Sequence, residues 1–121
     1  MTPLIFATNR GDLEALKLII QYSNVEAIDN FGETALFYAV RLNHPDIGLF
    51  LLNNRANQNF VNLKDGNTPL MEAVSCKNVE LAKILVKYGA NISSKDFEGF
   101  TAYDIALQEG VVSEFTFLKP S

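Results

Sequence analysis

Polar and apolar residues alternate along this chain in blocks of helical period. After Asn78, Leu81, Ala82, Leu85 and Val86 follow the 3, 4, 7 spacing that puts apolar side chains on one buried helix face. The same kind of block occurs earlier as Asp12-Leu-Glu-Ala-Leu-Lys-Leu-Ile-Ile and as His44-Pro-Asp-Ile-Gly-Leu-Phe-Leu-Leu. Each opens on a residue suited to a helix start, and Pro45 at the first helical position favours initiation. A shorter block that opens on threonine precedes each of them. Thr2-Pro3-Leu4 recurs as Thr34-Ala35-Leu36, as Thr68-Pro69-Leu70 and, more loosely, as Thr101-Ala102-Tyr103, at intervals of 32, 34 and 33 residues. A fixed period of this size marks a repeat architecture.

The residues that recur have physical reasons to do so. A threonine can cap a helix, and a proline after it is tolerated because the first-turn N–H has no intrahelical partner. Ala7, Ala39, Ala73 and Ala106 each follow the threonine by five residues. A larger side chain at that place would push neighbouring copies apart. Gly89 stands where a left-handed helix end is expected. The connecting segments Asp29-Asn-Phe-Gly32, Lys64-Asp-Gly66 and Asp96-Phe-Glu-Gly99 have turn compositions, with a glycine two residues before each threonine. A pair of short helices cannot bury its apolar face alone, so the copies are expected to stack around a continuous core.

These residues resemble the ankyrin repeat, whose pattern runs Gly, any residue, Thr-Pro-Leu, a helix with a fixed Ala, and a second helix ending in Gly-Ala-Asp/Asn. The copy from Gly66-Asn-Thr-Pro-Leu through Tyr88-Gly-Ala-Asn91 carries the fullest match. The resemblance implies an all-α solenoid of helix-turn-helix units with hairpin-like finger loops. It covers residues 1–121 as a single domain: a partial copy over about 1–32, full copies over 33–66 and 67–99, and a partial C-terminal cap over 100–121.

Departures from the pattern generate specific expectations. Arg55 replaces the glycine that ends the second helix, and the segment from Arg55 to Gly66 is one residue longer than Gly89 to Gly99, with Phe60 and Val61 beside the extra residue. That segment reads as length drift with Phe60 folded back on the stack, against an adapted contact loop. The segment from Ser23 to Gly32 is one residue shorter. Glu72 takes a place held by Phe6, Tyr38 and Ile105 in the other copies, so it must find a partner or turn to water. In the last copy Glu114 replaces Leu81, the second helix is expected to stop near Leu118-Lys119-Pro120, and Phe115 and Phe117 are expected to close the core.

Composition narrows the function. Apolar residues make up 48% of the 121 and charged residues 20%, which suits one folded domain. One Cys and one His cannot supply a structural zinc site or a disulfide framework, and no Asp/Asn cluster has calcium-loop spacing. The net charge of −4 is spread evenly, with 4 basic and 6 acidic residues in 1–60 and 6 basic and 8 acidic in 61–121. Without clustered Lys and Arg, nucleic acid is not an expected partner. The run Ile47 to Leu52 is far short of the roughly 20 residues that span a bilayer, and Arg10 and Asp12 interrupt any N-terminal signal core. A cytoplasmic location, or the host cytosol or nucleus for a secreted effector, is the expectation.

The residues of catalytic type read as structural. His44 lies at a second-helix start, where capping or packing explains it, and Cys76 has no imidazole at a neighbouring position to activate it. Asp96 and Glu98 flank a finger as solvated turn residues. No cofactor or metal is expected. The resemblance implies recognition of another protein through the fingers and the concave face of the first helices, by a chain that is a monomer on its own. The positions that vary for contact in the family fall here on Asn9 and Arg10; on Asn30, Phe31, Glu33, Arg41 and Leu42; on Lys64, Asp65, Asn67, Ser75 and Cys76; and on Phe97, Glu98, Phe100, Gln108 and Glu109. Phe31, Phe97 and Phe100 are aromatic where solvated turns prefer polar residues, with Phe100 the one best explained by packing. Three roles are open: an inhibitor that covers an enzyme surface, a recognition segment of a larger scaffold or effector, and a small enzyme using Cys76.

Overall fold

The computed structural model describes residues 2–120; Met1 and Ser121, the ends of the expected domain, lie outside the described residues. Seven α-helices and no strand occur among them. The first helices of the copies are α1 (Pro3–Asn9), α3 (Ala35–Arg41), α5 (Pro69–Ser75) and α7 (Ala102–Glu109). The second helices are α2 (Leu13–Ile19), α4 (Pro45–Asn53) and α6 (Val79–Lys87). α1, α3 and α5 each pack against their own second helix and against the first helix of the next copy, and the second helices touch one another less.

The helix starts follow the threonines. Thr2 Oγ1 accepts the N–H of Ile5 at 3.1 Å, and Thr68 Oγ1 that of Met71 at 3.3 Å. Thr101 forms a reciprocal cap with Asp104, whose carboxylate accepts the Thr101 N–H at 3.0 Å. At α3 the cap bond is missing, and the Thr34 hydroxyl is buried without a partner among the described residues. His44 and Asn78 occupy the start positions of α4 and α6, but neither side chain caps its helix. The His44 ring packs instead over Gly11, where a Cβ would come within 3.0 Å of Cε1. The Asn78 amide donates to the Val40 carbonyl at 2.6 Å, tying the third copy to the second.

The core is a stripe that runs the length of the stack. Leu4, Ile5 and Leu16 begin it; Leu36, Phe37, Ile47 and Leu51 continue it; Leu70, Met71, Leu81 and Leu85 carry it on to Phe115 and Leu118, all essentially sealed from solvent. Ala39, Ala73 and Ala106 are fully buried between the helices, as their small size predicts. Phe60 turns back to meet the buried Phe37 ring edge-on at 6.3 Å, as expected for a packing residue.

Three expectations about length need correction. Asn24, Asn57 and Asn91 each accept a hydrogen bond from the N–H two residues on, and each lies five residues before Asp29, Asn62 or Asp96. The linkers are therefore equal in length. The extra residue sits inside the second finger: Gly66 N–H bonds to the Asn62 carbonyl four residues back, whereas Gly32 and Gly99 bond three residues back to Asp29 and Asp96. The missing residue of the first copy lies earlier, in α2, which has 7 residues where α4 and α6 have 9 and which ends in a 3₁₀ turn, Ile20–Tyr22. The last copy has no second α-helix. Val112–Glu114 and Thr116–Leu118 form 3₁₀ turns, because Val, Ser and Thr there are poor helix formers and Pro120 closes the segment. Phe115 still plugs the core completely, and Phe117 is half-buried against it.

Arg55 holds the left-handed conformation expected of a glycine, with φ 72°, at the place where Gly89 has φ 93°. An L-residue there costs on the order of 1 kcal/mol, partly offset by the greater freedom glycine would have in the unfolded chain. Arg55→Gly is therefore expected to stabilise the fold by about 0.5–1 kcal/mol. A rise in the urea midpoint without a change in slope is the readout; an unchanged or lower midpoint would show that the Arg55 side chain compensates the strain.

Candidate protein-recognition face

Each finger is built on one side chain. Asp29 Oδ1 accepts the N–H groups of Phe31 and Glu33 at 2.9 and 3.1 Å, and Asp96 Oδ1 those of Glu98 and Phe100, both at 2.9 Å. Asn62 Oδ1 accepts the Lys64 N–H at 2.7 Å. The finger bases close through backbone bonds from Asp29 to Glu33, Asn62 to Asn67 and Asp96 to Phe100. Successive fingers then lean on one another. Phe97 N–H bonds to the Asp65 carbonyl at 3.0 Å, and its ring approaches Gly66 so closely that a Cβ there would lie 2.5 Å from Cδ1. Only glycine, at φ 78°, fits. Leu63 covers Gly32 less closely, with a Cβ there 3.1 Å from the Leu63 Cβ.

This arrangement leaves Phe31, Leu63 and Phe97 on adjacent fingers, respectively 65%, 67% and 66% exposed. Leu63 was not among the expected contact residues. Its signal was hidden by the extra residue: counted from Asp29, Asn62 and Asp96, Leu63 matches Asn30 and Phe97. Phe97 packs one ring edge against the preceding finger and is otherwise largely exposed. Phe100 is half-buried against the core.

Behind the fingers, a cleft of about 290 Å³ opens between the second and third copies. Its floor is a polar network. Arg41 donates two hydrogen bonds to Glu33 and one, at 3.0 Å, to Glu72 of the next copy. Asn62 Nδ2 adds a bond to Glu33 at 2.8 Å. The Tyr38 hydroxyl donates to Asp29, and the Arg41 guanidinium lies 5.6 Å over the Tyr38 ring. Glu72 thus has a partner, which answers the question its position raised. Glu33 is corrected as a contact residue: it is 5% exposed, and its carboxylate is consumed by Arg41 and Asn62. Arg41 is exposed as a residue, but its guanidinium is committed to two carboxylates.

The pKa shifts follow from this geometry. Arg41 is driven further into its charged form, first by its bonds to Glu33 and then by Glu72, against the opposing effect of burial. Burial, together with the bond to Asp29, pushes the Tyr38 phenol up to about 12. For Asp29 burial acts upward, but the Tyr38 hydroxyl and the N–H groups of Glu33 and Phe31 outweigh it and hold the carboxyl below its ordinary value. Burial, reinforced by the Glu72 charge, raises the Cys76 thiol to about 11, the reverse of what an activated nucleophile requires.

The remaining expected residues divide by place. Lys64 and Asp65 line the first cleft with Phe31; Asp65, Asn67, Ser75, Glu98, Phe100, Gln108 and Glu109 line a second, of about 250 Å³, between the third and fourth copies. Asn30 borders a hollow at the fingertips with Phe31 and Leu63. Asn9, Arg10 and Leu42 are exposed at the C-terminal ends of α1 and α3, outside these clefts, and Arg10 lies 5.7 Å over the Phe6 ring. Cys76 is half-buried beside Glu72, its Sγ 3.5 Å from Oε2. Among the described residues no group of three or more His, Cys, Asp or Glu is placed to hold a metal ion, and no helix is long and apolar enough to cross a membrane.

Stacked helix pairs with a shared core and projecting fingers define a repeat solenoid. The family model of ankyrin repeats, three copies, matches residues 1–62 and 50–118, and the chain belongs to that family. It is 36% identical over 99 residues to a putative ankyrin repeat protein of Acanthamoeba polyphaga mimivirus, covering 81% of this chain and 13% of that protein. It is 31% identical over 121 residues to a glycerophosphocholine phosphodiesterase of Candida albicans (97% of this chain, 10% of the relative). It is 34% identical over 110 residues to the protein of that name from Schizosaccharomyces pombe (89% and 10%). The chain thus spans only about a tenth of each of these relatives. Ankyrin repeats generally mediate protein–protein interaction.

Two outcomes test the network. Arg41→Ala, which leaves the buried Glu33 without its main partner, is expected to cost about 2–3 kcal/mol in urea unfolding. Arg41→Lys should recover only part of this, since an ammonium lacks the fork that reaches both carboxylates. Cys76, with about one thiol in a thousand ionised at pH 8, should react with iodoacetamide roughly a hundredfold more slowly than an ordinary cysteine. Alkylation at the ordinary rate would contradict the shift.

Proposed function

We propose that this chain is a non-catalytic recognition module that binds a partner protein across its fingers and the concave face of its first helices. The observation that carries the reading is the row Phe31, Leu63 and Phe97. Three large apolar side chains, each about two-thirds exposed, are held on fingers braced by side-chain and backbone hydrogen bonds. Apolar anchors on a rigid frame lose little freedom on binding, and such residues dominate binding energy where a polar rim surrounds them. The raised Cys76 thiol argues against the reading as a cysteine enzyme.

The module works in one of two settings. As a free-standing protein it would act as an inhibitor or effector, covering a surface of its target in the cytoplasm or, if secreted, in a host cell. As a segment of a longer scaffold it would recruit a partner to other domains. The phosphodiesterase name of two relatives concerns those whole proteins, and nothing in the recognition face argues for that activity here.

Phe31→Ala combined with Leu63→Ala is expected to reduce capture of a partner from the source cells at least tenfold, with mass spectrometry as the readout. Helical content and melting should stay nearly unchanged. Undiminished capture would refute the reading, and a large stability loss would show these residues to be core.

A further inference from the structure

The three hollows of the recognition face adjoin one another through shared wall residues. Phe31 lines both the fingertip hollow, of about 320 Å³, and the first concave cleft, and Asp65 lines both the first cleft and the second. One extended segment of a partner can therefore run from the gap between Phe31 and Leu63 into the clefts behind the fingers.

Charge along this path is one-sided. The first cleft carries Glu33, Asp65 and Glu72 against Arg41 and Lys64; the second carries Asp65, Asp96, Glu98 and Glu109 and no cation. With Asp65 counted once, six carboxylates face two cations, an excess of four. The whole chain has a net charge of −4, so its other eight basic and eight acidic residues balance, and the imbalance lies along these two clefts. Arg41 adds little attraction for an acidic partner, because Glu33 and Glu72 already hold its guanidinium. Glu98 and Glu109 are exposed, and their carboxylates make no hydrogen bond or ion pair among the described residues, unlike Glu33 and Glu72.

We propose that this face takes a Lys/Arg-rich segment of a partner protein, with one apolar side chain seated between Phe31 and Leu63 and basic side chains against Glu98 and Glu109. The proposal rests on the protein-recognition reading and adds to it the chemistry of the partner. The apolar anchor supplies the salt-independent part of the binding. The carboxylates select the sign of the partner, raise its association rate and repel acidic segments, phosphate backbones and anionic lipid. Exposed charges are screened beyond about 10 Å at 0.1 M salt, so the selective part must weaken as salt rises.

The test is fluorescence anisotropy of the full chain with three labelled peptides of equal length: alternating Leu and Arg, alternating Leu and Glu, and alternating Ser and Arg. The Leu/Arg peptide is expected to bind at least about tenfold tighter than either of the others, and to weaken as salt is raised. Glu98→Lys with Glu109→Lys should weaken it at least about tenfold, and Phe31→Ala separately by a similar factor. Glu80→Lys with Glu114→Lys makes the same change in net charge elsewhere on the surface and should leave binding within about twofold. Circular dichroism of each variant verifies that it is folded. The proposal is overturned by no binding of the Leu/Arg peptide, by equal binding of the Leu/Glu peptide, or by equal loss in the two charge-reversed variants. If these results fail while partner capture still depends on Phe31 and Leu63, the partner chemistry is wrong and the recognition reading stands. If capture is also indifferent to Phe31 and Leu63, both fall.

Discussion

The close approach of consecutive first helices is the constraint on which the rest of this molecule depends. α1, α3, α5 and α7 lie against one another around the fully buried alanines at 39, 73 and 106. A larger side chain at any of these places would open the stack, and the damage would spread. The helix spacing sets the finger spacing, and the fingers touch: the Phe97 ring rests on Gly66 and Leu63 on Gly32. The same spacing places Glu72 within reach of Arg41, and the Asn78 amide within reach of the Val40 carbonyl. Packing of methyl groups in the core thus determines where the polar groups of the surface can meet.

Polar side chains on the concave side do two kinds of work. Asp29, Glu33, Tyr38, Arg41, Asn62 and Glu72 are turned toward one another and join a finger to the helices of its own copy and of the next. Their hydrogen-bonding capacity is largely taken up within the fold. Glu98, Gln108 and Glu109, in the following cleft, are exposed to solvent. Residues at matching positions of successive copies therefore need not share a role. Arg41 is a structural clamp, while Ser75 and Gln108, its equivalents in the next two copies, are exposed on the cleft wall.

The repeated features were legible in the sequence because repetition is itself the signal. Threonine caps, buried alanines, helix starts at Asp12, His44 and Asn78, and glycine turns each recur, and a position read wrongly in one copy is corrected by the others. What occurs once was harder to read. Spacing alone does not locate the extra residue of the second finger, and this hides Leu63 as a solvent-facing apolar side chain. A short α2 and a short linker look alike in sequence, since the two differ only in where a gap is drawn. The C-terminal segment has no second copy to compare with, and its 3₁₀ turns replace the expected helix. Glu33 was assigned to the contact surface from its position in the repeat. Its burial depends on Arg41 and Asn62, 8 and 29 residues away, a pairing that no local pattern encodes.

The second finger shows how such a surface can change over evolution. Its base is closed by the Asn62–Asn67 backbone bond just as its five-residue neighbours are, although its tip carries one residue more. The extra residue is accommodated above the base, while the linker below keeps the length it has in the other copies and the next helix still starts after its threonine. Loop length at the tip is thus mechanically insulated from the stack. Mutation can lengthen a finger, reshape its outer contour and try a new target without first unsettling the scaffold.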